Sequence, residues 1–502
     1  MTTLNDDDNC ASEELIPKSN SHCPSRRNIH DCATFAILIF INALNYTDRW
    51  TVAAIITNLE NATTNEFGYA ISDLEAGFLT TSFILSFMVF SIPFGVLGDR
   101  YKRTWLMGIG LFIWSAATLA ASFAPTYWFL LLMRTLVGIG EASYATIAPT
   151  IIADMFPPKL RIRMLSLFYL VIPFGTAFGF IVAAVAQIFA EHVLMLTTGQ
   201  WRWALRITPP FGFIAVLLII FVAKEPPRGR SEDVFNSSVS FVAKSNCKSV
   251  LMDIVSVITN YSFIFSTLGF TGVTFSTGAL AQWAPRYTTL ISDAYFDSII
   301  SANTCSIFFG VASGIGGLTG TLFGSELSKF ISKYSGRADM YVCALGMLLS
   351  GPLLYLTLTV TVYSIWSGFP LVLLCVFVLS FNWAPNANIL LYVVVPQRRS
   401  TAEAFQILIS HMLGDAASPT IVGAISDWLR GTNEMATVRA SALQTALYTT
   451  CFIACISGFF YLFGSLYVNK DKAAADQCNF EKVRKQRHDD SIRDLPSIPS
   501  NL

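Results

Sequence analysis

Twelve apolar runs of about 20 residues, the length that carries a helix across the hydrocarbon of a bilayer, constrain this chain more than any other feature. They fall near 34–59, 74–97, 104–123, 127–154, 163–190 and 204–223, and, after a polar stretch, near 254–283, 299–325, 340–362, 366–395, 401–428 and 440–467. Lipid offers no partner for an open backbone, so such runs must be helices that satisfy their own hydrogen bonds. The expected fold class is therefore an all-α membrane protein, with twelve transmembrane helices in two pseudo-symmetric six-helix bundles. A tail is expected over 1–32, the first bundle over 33–223, a cytosolic linker over 224–253, the second bundle over 254–467 and a second tail over 468–502, both tails being disordered.

Composition agrees. Only 13% of the 502 residues are charged, about half the share in a soluble chain. The 33 Lys and Arg balance 33 Asp and Glu, so no net field draws polyanions. A cytosolic enzyme, a nucleic-acid binder and a disordered scaffold are excluded.

Orientation follows from Lys and Arg in the short loops. The loops after spans 2, 4, 6, 8 and 10 hold sixteen, and the opposite loops hold five. Both termini and the linker are thus expected in the cytosol. No cysteine falls in a non-cytosolic loop, so no structural disulfide is expected. Asn61, in the sequon Asn61-Ala62-Thr63 of the first non-cytosolic loop, is positioned for glycosylation. The first apolar run is too long for a signal peptide and has no small-residue cleavage site, so it counts as span 1.

Six spans, a linker and six more is the layout of a transporter that rocks two bundles around a central cavity. One chain is expected to suffice, as a monomer. Ionised side chains at membrane depth are costly, so the few present are candidates for function. Span 1 carries Asp48 and Arg49; span 4 carries Arg134 and Glu141. Seven residues place Arg134 and Glu141 on one helix face, about 10 Å apart along the axis. Gly138 shares that face and lets a neighbouring helix approach. Arg49 and Arg134 offer planar forks suited to phosphate or carboxylate, and Asp48 and Glu141 could take up a proton reversibly. The same four groups could instead be an ion-pair network that only holds spans 1 and 4 together. In the second half, His411 and Asp415 lie at i and i+4 on span 11, where His411 could bind a headgroup or titrate and Asp415 could brace a broken helix.

The segment Gly95-Val96-Leu97-Gly98-Asp99-Arg100-Tyr101-Lys102-Arg103 resembles the cytosolic signature of the major facilitator superfamily. As a conformational latch, Gly95 would allow close helix packing while Asp99, beside Arg100 and Arg103, would face the positive N-terminus of span 11 and hold the outward-open state. Its second-half counterpart, Gly324-Ser325-Glu326-Leu327-Ser328-Lys329, is degenerate. A narrower resemblance is carried by Asn45-Tyr46-Thr47-Asp48-Arg49, Gly138-Ile139-Gly140-Glu141-Ala142-Ser143-Tyr144, Trp203-Ala204-Leu205-Arg206-Ile207-Thr208-Pro209 and Gly414-Asp415-Ala416-Ala417-Ser418-Pro419. These segments are similar to those of the Spinster family.

That resemblance implies proton-coupled transport of a single-chain phospholipid, a lysophospholipid or sphingosine-1-phosphate, across the lysosomal or late endosomal membrane. By position, it implies a proton-coupling and headgroup cluster at Asp48, Arg49, Arg134 and Glu141, and cavity positions at Thr277, Trp383 and His411. The expected partners are lipid and protons, with no cofactor and no metal. The alternatives are a carrier of small organic anions or sugars and a multi-pass lipid-modifying enzyme. The enzyme reading lacks a nucleophile or base constellation in the sequence.

Overall fold

The computed structural model describes residues 26–60, 66–226, 259–395 and 398–493, and leaves out a few helical side chains, Asp99 among them. Asn61, residues 1–25, most of the linker and residues 494–502 lie outside that description. The described chain is helical: α1 Arg26–Leu59, α2 Asp73–Arg100, α3 Arg103–Ala121, α4 Tyr127–Met155, α5 Pro158–His192 and α6 Trp201–Leu217 make the first half. The second half holds α7 Tyr261–Tyr295, α8 Ala302–Ser332, α9 Ala338–Tyr363, α10 Ile365–Leu379, α11 Trp383–Val393, α12 Arg399–Leu413, α13 Ser418–Arg430 and α14 Ala436–Arg493.

Among the described residues, ten stretches are long and apolar enough to cross a membrane, with α10 and α11 joined as one through a 3-10 turn. The other two expected spans fall on α1, which carries Asp48 and Arg49, and on the broken pair α12/α13, neither of which is among those ten. Helix starts are set locally. Ser72, Thr126, Asn260, Ser301 and Ser364 accept from the backbone N–H three residues on, satisfying donors that a first turn leaves open.

Three boundaries differ from expectation. The last helix runs on to Arg493, through residues expected to be a disordered tail, and α1 starts at Arg26, inside the expected first tail. Span 7 is displaced, ending at Tyr295 rather than 283. Span 11 is not continuous. Pro419 has no N–H to extend the ladder, and the chain between Gly414 and Ala417 turns before α13 begins. The break is bridged by Ala416 N–H to the His411 carbonyl at 2.9 Å and Ser418 N–H to the Gly414 carbonyl at 2.9 Å.

The break matters because it frees a carbonyl for the other bundle. Thr81 of α2 donates to the Ala416 carbonyl at 2.5 Å and shares a 2.7 Å hydrogen bond with Thr420. The adjacent Thr80 donates to Gln282 Oε1 of α7 at 2.8 Å, and Gln282 Nε2 donates to the Ala76 carbonyl, one turn earlier on α2. Gly77 makes the approach possible: a Cβ there would lie 2.6 Å from the Pro419 carbonyl oxygen. The hydrogen bonds and ion pairs joining the bundles between described residues all lie from Arg49 and Asp415 toward the face where α1 ends and α14 begins. That face, called here the far face, is shut. Thr34 near Lys224 and Ser262 near Asp471 mark the opposite, chain-end face.

Candidate functional site at the seam between the bundles

Asp48 and Arg49 are neighbours in sequence and part company in space, because consecutive residues of a helix point about 100° apart. Asp48 turns into the first bundle, where it is 1% exposed. Its carboxylate accepts from Trp114 Nε1 at 2.8 Å and Thr118 Oγ1 at 3.2 Å on α3, and from Thr208 Oγ1 at 2.7 Å on α6. Arg134 of α4 approaches it, with Nη1 3.8 Å from Oδ2. The oxygens are fully engaged within one bundle, which is the setting of a fixed counter-ion more than of a group exchanging with cavity water.

Arg49 faces the seam. Its Nη2 lies 3.6 Å from Asp415 Oδ2, in the turn between α12 and α13, and Asp415 is held in place by His411 Nδ1 at 2.9 Å from Oδ1 and 3.0 Å from Oδ2. A pocket at this level is lined by Arg49, Trp50, Thr80, Phe83, Gln282 and Asp415 among others. The ring of Phe83, buried on α2, receives both cations: the Arg49 guanidinium carbon lies 5.2 Å and that of Arg134 4.9 Å from its centroid. An aromatic face stabilises each by about 1 kcal/mol and keeps two like charges at a set spacing.

Two features mark Arg134 as incompletely satisfied. It is 2% exposed, yet its Nε and Nη1 have no hydrogen-bond partner. Glu141, two turns along α4, is buried and forms no ion pair within 4.0 Å with another described residue. Gly138 lies between them, against the Phe83 carbonyl and Ser86 of α2, as its small size requires.

The remaining expected residues are more scattered. Thr277 sits beside Gly278 of the pocket lining, with its hydroxyl on its own helix at the Val273 carbonyl. Trp383 is 38% exposed at the start of α11, edge-on to Phe270 at 5.4 Å and outside the charged seam. The expected latch turns on Asp99, whose side chain lies outside the described residues. A Cβ at Gly95 would meet nothing within 4 Å, so the close packing expected of that glycine is absent. Arg100 is exposed. Arg103 pairs within its own bundle, with Nη1 2.5 Å from Asp154 Oδ2, and its N–H donates to Glu225 at 3.1 Å.

Sequence reading missed Phe83, Trp114, Thr208 and Gln282. A buried Phe has no signal of its own among 40 of them, and Gln282 stands at the end of the expected span 254–283, so only the displaced helix Tyr261–Tyr295 puts it at a depth where a polar residue is costly.

A family description, the Major Facilitator Superfamily, matches residues 38–419. The chain is 43% identical to protein spinster homolog 1 of Xenopus tropicalis over 455 residues, covering 89% of this chain and 83% of that protein. It is 41% identical to the human spinster homolog 1 over 449 residues, 88% of this chain and 81% of that protein, and 38% identical to the Drosophila melanogaster protein spinster, covering 88% and 77%. Among solved structures it resembles a bacterial homologue of the human lysosomal transporter Spinster in an inward-facing, unoccupied conformation, with a TM-score of 0.74 and 20% identity over 88% of this chain and 98% of that one.

Proposed function

Since the chain belongs to the Spinster family of the major facilitator superfamily, membrane transporters and not enzymes, we propose that it moves a single-chain phospholipid, a lysophospholipid or sphingosine-1-phosphate, by proton-coupled alternating access. The observation that carries this reading is the Arg49–Asp415 pair across the seam, flanked by the incompletely bonded Arg134. A phosphate entering the seam offers Arg49 a stronger, forked partner than a carboxylate 3.6 Å away. Asp415 is then released to His411, and the tie between bundles loosens. Glu141, buried two turns from Arg134 along α4 and in no ion pair within 4.0 Å with another described residue, is assigned the proton, and Asp48, sealed among Trp114, Thr118 and Thr208, is assigned the fixed counter-charge of Arg134.

The apolar tail needs only a greasy path out of the cavity, which helices of this composition supply. The membrane is assigned as lysosomal or late endosomal, with the chain-end face in the cytosol, following the loop charges and the lysosomal transporter named among the relatives. The protein acts as a monomer, with both latch segment and seam in one chain.

Binding to purified protein tests the headgroup claim. Labelled lysophosphatidylcholine should bind, and monoacylglycerol, which has the tail and no phosphate, should not compete. Equal competition by monoacylglycerol would remove the headgroup role of the arginines. Displacement by glycerol phosphate alone, with no contribution from the tail, would favour a carrier of small organic anions.

A further inference from the structure

The far face is shut by two different kinds of bond at two depths. The deeper tier is neutral: Thr80, Thr81 and Gln282 on hydroxyl, amide and carbonyl partners. The shallower tier is ionic. Glu60, the residue after α1, has a fully buried side chain and meets two cations of the second bundle, Arg286 Nε of α7 at 2.5 Å and Arg439 Nη2 of α14 at 3.1 Å.

Beside it, the N-terminus of α2 is capped by both bundles. Its own Ser72 takes the Glu75 N–H in a capping box. The first two N–H groups go instead to the other bundle: Asp73 N–H donates to Asp427 Oδ1 at 3.2 Å and Leu74 N–H to Oδ2 at 2.8 Å. Asp427 is in turn held by Arg430 Nη2 at 2.9 Å, and Ser426 donates to the Asp73 carboxylate at 2.6 Å. Glu60 meets its cations only while the bundles touch, whereas Asp427–Arg430 and Arg439–Glu434 are pairs within the second bundle. Separation would strand the Glu60 carboxylate, the Arg286 guanidinium and two helix-terminal donors.

We propose that Glu60, with Asp427 capping α2 in trans, forms a charged clasp that keeps the far face closed, so that releasing Glu60 from Arg286 and Arg439 is the step that opens the cavity to that face. The clasp belongs to neither the substrate seam nor the latch segment Gly95–Arg103: Glu60 lies seven residues beyond Ala53, which lines the seam pocket, or about 10 Å along the helix axis. The inference rests on alternating access and is indifferent to the lipid.

The test uses the full chain in vesicles with Ala53→Cys, a membrane-impermeant maleimide applied at the far face, and the rate above that of the chain without the substitution. Glu60→Gln and Arg439→Gln should each speed labelling at least about tenfold, as expected when one partner of a buried pair is lost. Arg439 is partly exposed, so its variant serves if Glu60→Gln folds poorly. Combining the two should add little beyond either alone. Rates equal to the parent in both variants, in protein that elutes and melts like the parent, would overturn the proposal. No lipid enters the measurement, so absent lipid transport would refute the proposed substrate and leave the clasp standing, while unchanged labelling beside intact lipid transport would do the reverse.

Discussion

Arg49 of α1 and Asp415 of the α12–α13 turn face each other at 3.6 Å, the ion pair that ties the two bundles at the level of the cavity. It is long for a charge-assisted bond and only partly buried, with side chains 13% and 16% exposed. Such a pair is poised to exchange partners.

Exchange predicts coupling between the two residues. Arg49→Ala and Asp415→Ala should each lower lipid flux at least about tenfold, and the double variant should lose far less than the product of the two. Independent, multiplicative losses, measured as initial rates in vesicles at matched protein levels, would show that the pair does not act as a unit.

Arg134→Ala should abolish flux and also lower the melting temperature, because it leaves the Asp48 carboxylate buried without its cation, a loss of about 3–5 kcal/mol. Arg134→Lys should recover most of the stability and little of the flux, since a single ammonium cannot reproduce the fork. Thermal unfolding beside flux separates the two effects, and full flux in a stable Arg134→Lys protein would count against headgroup recognition.

Glu141→Gln is nearly isosteric and removes a buried carboxyl that forms no ion pair within 4.0 Å with another described residue, so stability should hold or rise. Flux down a lipid gradient should persist while its response to an imposed pH gradient is lost. A retained pH response would move the proton to another group, with Asp415 and His411 next in line.

Gly77→Val should obstruct far-face closure. Its side chain would press on the Pro419 carbonyl, which lies 2.6 Å from the Cβ position, and overpacking of this kind costs about 1–3 kcal/mol. Cysteine probes placed in the cavity should then label faster from the far face and slower from the chain-end face. Unchanged labelling from both faces would mean that α2 and α13 can separate there without penalty.

The spans could be read from the sequence because hydrophobic length is set by the bilayer. Asp48, Arg49, Arg134 and Glu141 could be singled out because charge at that depth is costly. Their pairing was not legible. Asp48 and Arg49 differ by one residue, and only the packed positions of α3, α6 and α13 determine that one meets Trp114 and the other Asp415. The helix that runs to Arg493 was missed because its polar composition resembles that of a disordered tail. Phe83 gave no signal, since its role comes from two cations that converge on it only in three dimensions.

The most direct measurement is the flux of labelled lysophosphatidylcholine and, separately, sphingosine-1-phosphate in vesicles holding the purified protein, with and without an imposed pH gradient, in the parent and in Arg49→Ala. The account predicts gradient-driven movement of one of these lipids in the parent, and its loss in the variant. Movement of neither lipid by folded parent protein, or equal movement by Arg49→Ala, would contradict it.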